Sequence, residues 1–346
     1  MNKTPQLIEY TLENFPERVA LADRGTSLSY NELAKRSAAL AGGLSGIGIK
    51  KGDRVGLWLP NIAAYIEAFL ACASIGAIVV SVNTKFKSFE MADIVSRSGC
   101  KCLILWPDFK NIPFLDILSE IPAGGLAGLK SVVLYSENDN KTDIPECLAG
   151  KQIHSFSDLY AGKPVSDNNI SSEDGVVIFT TSGTTGKPKF VLHSHSSLIQ
   201  HAFEVARYFG YANRDCRMLQ ALPLCGTFGL TQAIAGLASG AVVYSLPVFD
   251  PAEAGRLIRQ HGITDMNGSD DMFAMILDNF TEEIPYPSLT KGGFAAFNPA
   301  QQDIVERAEA HGIRLFGLWG MSEVQALVAY QDPDAPADIR KRAGGN

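Results

Sequence analysis

The chain has 346 residues, 46% of them hydrophobic and 19% charged, with a formal net charge of −7 and a pI near 5.4. That length exceeds a usual single core and predicts two lobes, and the apolar content excludes a disordered chain. The acidic balance, with lysines and arginines scattered along the sequence, argues against broad binding of nucleic acid, so an anionic ligand needs a local positive site.

The N-terminal stretch MNKTPQLIEYTLENFPERVAL has no basic segment followed by a continuous apolar run. It does not read as a secretion signal, and a cytoplasmic setting is expected. Asp53–Pro60 is a strand candidate, followed by a helix in which Ile62, Ile66, Phe69, Leu70 and Ala73 recur at helical spacing, with Asn61 placed as its N-cap. The longest apolar run, Ala68–Val82, is shorter than the roughly 20 residues of a membrane span and reads as a buried helix leading into a strand.

Further strand candidates are Cys100–Trp106, Ser131–Ser136, Val176–Phe179, Ala241–Leu246 and Ile313–Trp319. Pro251–Gly262 and Pro299–Gly312 are helix candidates, each opening with proline and closing with glycine. This alternation predicts an α/β fold of two βα lobes with largely parallel sheets flanked by helices. The polar, turn-forming Tyr160–Gly175 marks the expected seam, giving lobes over residues 1–165 and 166–346. Asp332–Asn346 reads as a loop without a closing element. The six cysteines lack the paired spacing of a zinc site or a disulfide framework and are expected to be reduced.

The densest chemistry lies in Thr180–Lys189, TTSGTTGKPK, directly after the apolar Val176–Phe179. Glycines can turn backbone N–H groups inward, hydroxyls add donors without bulk, and Lys187 and Lys189 add charge, a combination suited to a phosphate chain. The common phosphate loop does not fit: Gly183 and Gly186 are two residues apart where that motif has four, and Pro188 follows Lys187 where it has a hydroxyl. No dinucleotide fingerprint follows a strand. Phe190–Leu192 reads as a short strand and His193–Gly210 as a capped helix, so the loop sits in a hairpin.

TTSGTTGKPK resembles the signature T-S-G-[ST]-T-G-x-P-K-G of the adenylate-forming superfamily, which includes acyl- and aryl-CoA synthetases, nonribosomal adenylation domains and luciferases. The match runs from Thr181 to Lys189, and Phe190 replaces the last glycine. Other segments are similar in the right order: Arg18–Leu44 and Lys51–Met91 to the N-terminal lobe, Ala221–Leu230 to P-L-F-H-x-x-G, Gly292–Ala296 to the G-G-A-P turn, and Leu318–Glu323 to Y-G-x-T-E. The implied fold is that of the N-terminal domain of these enzymes. The implied reaction is attack of a carboxylate on the α-phosphate of ATP, followed by transfer of the acyl group to a thiol, commonly that of coenzyme A.

The resemblance also implies roles. Thr181, Ser182, Gly183, Thr184, Thr185, Gly186, Lys187 and Lys189 would hold the β- and γ-phosphates, Ser322 the α-phosphate, and Glu323 Mg2+. Trp319, with Gly320 and Met321 beside it, takes the position of an adenine-stacking aromatic, and Gly292, Gly293, Phe294 and Ala295 would let backbone approach the adenine. His195 matches the histidine after the phosphate loop. Cys225, Gly226, Phe228 and Gly293 would line the acid pocket, where Cys225 and Gly226 replace an aromatic–histidine pair and favour an extended acyl chain. Each has an ordinary alternative: a helix cap for His195, a core tryptophan, a solvated glutamate, a plain glycine turn. An aryl acid, a carrier-protein acceptor and a non-catalytic binding protein stay open, as does a homodimer; nucleic acid is not an expected partner. The family's ribose-binding aspartate, hinge and C-terminal lid have no counterpart here, so the expectation is the N-terminal part of a longer enzyme, with little activity alone.

Overall fold

The computed structural model describes residues 1–122, 124–137, 143–165, 169–181, 188–213, 215–280, 282 and 284–344. In chain order the helices are α1 Thr4–Asn14, α2 Tyr30–Gly46, α3 Ala63–Ser74, α4 Ser88–Ser98, α5 Phe114–Ser119, α6 His195–Tyr208, α7 Thr227–Ala238, α8 Pro251–His261, α9 Asp270–Asp278, α10 Ile304–Ala310 and α11 Ala337–Arg340. The early strands are β1 Val19–Asp23, β2 Thr26–Ser29, β3 Arg54–Trp58, β4 Ile78–Ser81, β5 Cys100–Leu105, β6 Ser131–Leu134 and β7 Gln152–Ser155. The later ones are β8 Gly175–Thr181, β9 Lys189–Ser194, β10 Arg217–Gln220, β11 Val242–Ser245, β12 Asp265–Ser269, β13 Lys291–Ala295, β14 Arg314–Met321 and β15 Gln325–Tyr330. Two compact units divide the chain: residues 1–10, 31–60 and 64–197 form the first, and residues 11–30, 61–63 and 198–346 the second.

In the first unit the described strands pair in the order β7-β6-β5-β3-β4-β8-β9. The pairs are parallel except for the β8–β9 hairpin at the edge. Val55, Leu57, Val79, Val80, Leu103, Ile104, Val132, Val133 and Val177 are fully buried, the near-continuous apolar runs expected of strands covered on both faces. The expected helix-to-strand reading of Ala68–Val82 is met by α3 and β4, and α3 is buried on every side from Ala64 to Ala73.

The expected boundary at 165/166 does not coincide with the division between the units. Val177 pairs with Val79 and Ile178 with Val80, which draws β8, and through it β9, into the first sheet. The polar stretch 160–175 is thus a connection within a unit.

In the second unit the order is β15-β14-β13-β12-β10-β11-β1-β2 among the described residues. Antiparallel hairpins lie at both ends, β14–β15 and β1–β2, around a parallel middle. The core is built by Leu219, Ile258, Met266, Phe273, Leu277, Val305 and Leu315 with their neighbours. Helix α8 forms where its punctuation places it: Asp250 accepts the N–H of Glu253, Pro251 opens the first turn, and Gly262 closes the helix at φ 59°.

Three local expectations are corrected. Asn61 does not cap the helix that follows it. Its amide nitrogen donates to the carbonyl of Leu222 at 2.8 Å and its oxygen accepts from Leu224 N–H at 2.7 Å, while the N–H of Ala63 goes to Asp23 at 2.9 Å. Pro299–Gly312 is a single turn of 3₁₀ helix, Pro299–Gln301, followed by the separate α10. The tail is not all loop: α11 buries Arg340, which donates to the carbonyls of Ala335 and Leu315 and pairs with Glu309 at 2.5 Å. All six cysteines are free thiols. Among the described residues no helix is long and apolar enough to cross a membrane.

Candidate functional site

In the first unit the candidate residues gather on the β8–β9 hairpin. Thr181 ends β8 opposite Lys189, the first residue of β9, and Lys189 is exposed. Ser182, Gly183, Thr184, Thr185, Gly186 and Lys187 lie outside the described residues. β9 runs directly into α6, whose first residue, His195, is wholly buried.

His195 has the geometry of a structural histidine. Its Nδ1 accepts the backbone N–H of Thr4 at 3.3 Å and lies 2.9 Å from the Thr4 hydroxyl. A ring nitrogen that accepts a backbone N–H carries no proton, so the neutral ring holds its hydrogen on Nε2. Nε2 is buried, with no hydrogen-bond partner among the described residues. Burial pulls the imidazole from 6.5 down to about 4, with Asp174 opposing and Lys3 and Lys51 adding to the fall. The ring meets Thr4, the first residue of α1, rather than capping its own helix α6, where Ser194 Oγ accepts the Ser197 N–H at 3.3 Å. His193 is also buried, its ring edge-on to Phe179 at 5.8 Å.

In the second unit the candidates converge on the carboxyl ends of two neighbouring parallel strands, β13 and β14. Gly293 pairs with Phe316 and Phe294 with Gly317, so β13 ends at Ala295 level with Leu318, while β14 runs on through Trp319 to Met321 paired with β15. Trp319 is 46% exposed and Met321 43%, so both side chains stand largely open to solvent. Thr227 at the start of α7 donates its hydroxyl to Ser322 Oγ at 3.2 Å, tying the third motif segment to the fifth. Glu323 is exposed in the turn between β14 and β15. Cys225 and Phe228 are half-buried around Gly226, which caps α7 in an extended conformation.

The glycines of β13 are also demanded by packing. A Cβ at Gly292 would lie 2.8 Å from the Phe273 ring, and one at Gly293 would lie 2.5 Å from Asn267 Oδ1 and 2.7 Å from Leu318. Their side-chain space is filled by the protein itself, and Asn267 Oδ1 accepts the Gly293 N–H at 3.1 Å. These are packing glycines. At Gly320 a Cβ would approach Ala326 Cα to 2.6 Å, so the hairpin also depends on close backbone contact.

One supporting residue escapes a motif search, and another lies inside the Ala221–Leu230 segment without being singled out there. Asp270, 2% exposed, accepts the N–H groups of Phe297 and Asn298 at 2.9 and 2.8 Å and holds the turn after β13. That turn borders a pocket of about 410 Å³ lined by Phe294, Ala296, Phe297 and Lys341. Thr227 is the other. The SDD run at 269–271 signals a helix cap, and nothing in it names the turn it also supports. Among the described residues no cluster of three or more His, Cys, Asp or Glu could hold a metal by itself. The exposed carboxylate of Glu323 nonetheless suits Mg2+, which takes one or two carboxylates and completes its shell with phosphates and water.

The model of the AMP-binding enzyme family matches residues 8–345, and the chain belongs to that family. Its fold is that of the N-terminal domains of adenylate-forming enzymes. The inhibitor-bound N-terminal domain of FACL13 from Mycobacterium tuberculosis superposes with a TM-score of 0.76 at 20% identity, over 93% of this chain and 77% of that one. The medium-chain acyl-CoA ligase ACSF2, mitochondrial, of Pongo abelii is 28% identical over 352 residues, 95% of this chain and 55% of the relative. A feruloyl-CoA synthase of Amycolatopsis sp is 26% identical over 318 residues, 92% of this chain and 59% of the relative. The chain thus spans little more than half the length of the curated relatives it matches.

Proposed function

We propose that the chain carries nucleotide- and acid-binding residues of an ATP-dependent acid–thiol ligase. A carboxylate oxygen attacks the α-phosphorus of ATP, pyrophosphate leaves, and the acyl group of the adenylate passes to the sulfur of coenzyme A. The reading is carried by one observation: the exposed Trp319, the Thr227-held hydroxyl of Ser322 and the turn after β13 lie at the carboxyl ends of neighbouring strands in a chain of the AMP-binding family.

Attacker and target are both anions, so the residues must offset repulsion and hold the atoms in line. Ser322 supplies a hydroxyl donor to the α-phosphate, oriented by Thr227. The Trp319 ring offers adenine an exposed π-face. Thr181 and Lys189 present a hydroxyl and an ammonium from adjacent strand ends, and the family resemblance assigns further phosphate donors to Ser182–Lys187. Glu323 would hold Mg2+, which when bound neutralises phosphate charge. The small Cys225 and Gly226 leave room at the start of α7 for an extended acyl chain, and we assign the acid to the aliphatic class, within fatty-acid activation in the cytoplasm. The feruloyl-CoA synthase among the relatives makes an aryl acid the second reading.

Calorimetry with acyl-sulfamoyl-adenosines, stable mimics of the adenylate, tests both points on this chain. A decanoyl analogue should bind more tightly than a feruloyl analogue. Tighter binding of the aryl compound would move the acid class, and no binding of either would sink the proposal.

A further inference from the structure

Phe190 departs from the family pattern at the exit of the phosphate-loop segment, standing where the pattern has glycine. It lies in β9 opposite Thr180, one step from the Thr181–Lys189 pair. Arg97, in the last turn of α4, meets it there. The Arg97 Cζ sits 4.2 Å from the centre of the Phe190 ring, and Nη2 donates to the Pro188 carbonyl at 2.6 Å.

Asp93, one helical turn earlier, fixes the guanidinium. Arg97 Nε donates to its two carboxylate oxygens at 2.9 and 3.0 Å, and Nη2 to one of them at 2.7 Å. A planar guanidinium can stack on a ring and donate in its own plane at the same time, which an ammonium cannot. One side chain therefore grips the exit of the segment twice, at a ring face and at a backbone carbonyl. With glycine at 190 the platform for the stack would be gone.

We propose that Arg97 is a positioning residue for nucleotide binding: with Phe190 it latches β9 to α4 and sets where Lys189 and Thr181 stand when phosphates arrive. The proposal rests on the nucleotide reading given above. Holding a binding segment in place before the ligand comes lowers the ordering cost of binding.

The test measures two things on the 346-residue chain: MgATP affinity by calorimetry, and amide hydrogen exchange over 189–194 without nucleotide. Arg97→Ala and Phe190→Gly should each speed exchange in β9 and weaken MgATP by about three- to tenfold. Phe190→Tyr, which keeps the ring, should restore both readouts. Arg97→Lys keeps the charge and the helix but loses the stack, and should behave like Arg97→Ala; it carries the test if Phe190→Gly fails to fold. Faster exchange with unchanged MgATP affinity would mean a merely structural contact and overturn the proposal, as would unchanged exchange. If the unsubstituted chain binds no MgATP while exchange is still faster in the variants, the nucleotide reading falls and the latch itself does not.

Discussion

Two antiparallel hairpins, one in each unit, carry the motif residues, and they are held by different means. The β8–β9 hairpin is held by side chains: Arg97 on Phe190 and Pro188 beside Thr181, and His195 on Thr4 where β9 enters α6. The β14–β15 hairpin is held by backbone fit. Its register shifts between Trp319 and Met321, Gln325 and Leu327 take positive φ of 68° and 62°, and Gly320 lies against the Ala326 backbone. Side chains can yield by changing rotamer, whereas backbone pressed on backbone cannot, so the second hairpin should fail at the first added carbon.

Gly320→Ala is the sharpest test of that contrast. Its Cβ would meet Ala326 Cα at 2.6 Å, and we expect a loss of about 3 kcal/mol in urea unfolding, at the upper end of overpacking costs. A loss under about 1 kcal/mol would show that this hairpin relaxes as readily as the first.

The next effect belongs to His195. Its pKa is depressed in the folded chain, from 6.5 to about 4, so the unfolded chain takes up a proton first as pH falls. The stability contributed by the neutral ring is present above 6.5, is lost as pH falls from 6.5 towards about 4, and changes no further below that. From about pH 7 to about pH 5 the loss should be on the order of 2 kcal/mol, and His195→Gln should flatten that acid slope. An equally steep slope in the variant would remove His195 from the account.

The smaller effects concern ligand alone. Ser322→Ala should weaken an acyl-sulfamoyl-adenosine by about five- to tenfold, or about 1 kcal/mol, with thermal stability little changed. Thr227→Val leaves the Ser322 hydroxyl in place but removes the donor that orients it, and should weaken the same probe by only about two- to threefold. An order reversed between these two would make Thr227, rather than Ser322, the ligand contact.

Local structure was legible wherever the sequence carries its own punctuation. Asp250, Pro251 and Gly262 announce α8 because a cap, a proline and a left-handed glycine act on their immediate neighbours. Pairing partners were not legible, because apolar alternation states that a run is a strand without stating which strand lies beside it. Val177 therefore carries no sign that it pairs with Val79, and the boundary drawn from composition missed the division. At the candidate site the motif order marked Leu318–Glu323 and Gly292–Ala296, but the second, expected as a turn, lies almost wholly in strand β13. The packing demand on Gly292 and Gly293 was hidden, because close approach by a ligand and close approach by Phe273 or Asn267 call for the same residue. Arg97 was invisible for the opposite reason: Pro188 and Phe190, which it grips, lie far along the chain, and no motif contains it.

The parallel pairing of β1 with β11 joins Leu21 to Val243, and it constrains the order in which the second sheet can be assembled. During synthesis at about 5–20 residues per second, β1 waits on the order of ten to forty seconds for its neighbour to emerge. Through that interval the β1–β2 hairpin has an open edge, which any other extended segment could occupy. Arg24 and Asp23 form an ion pair at the tip of this hairpin, at 2.8 Å, and charge at an exposed strand end is one means by which such an edge resists the wrong partner. One of the first strands to be made thus waits for a neighbour encoded far downstream.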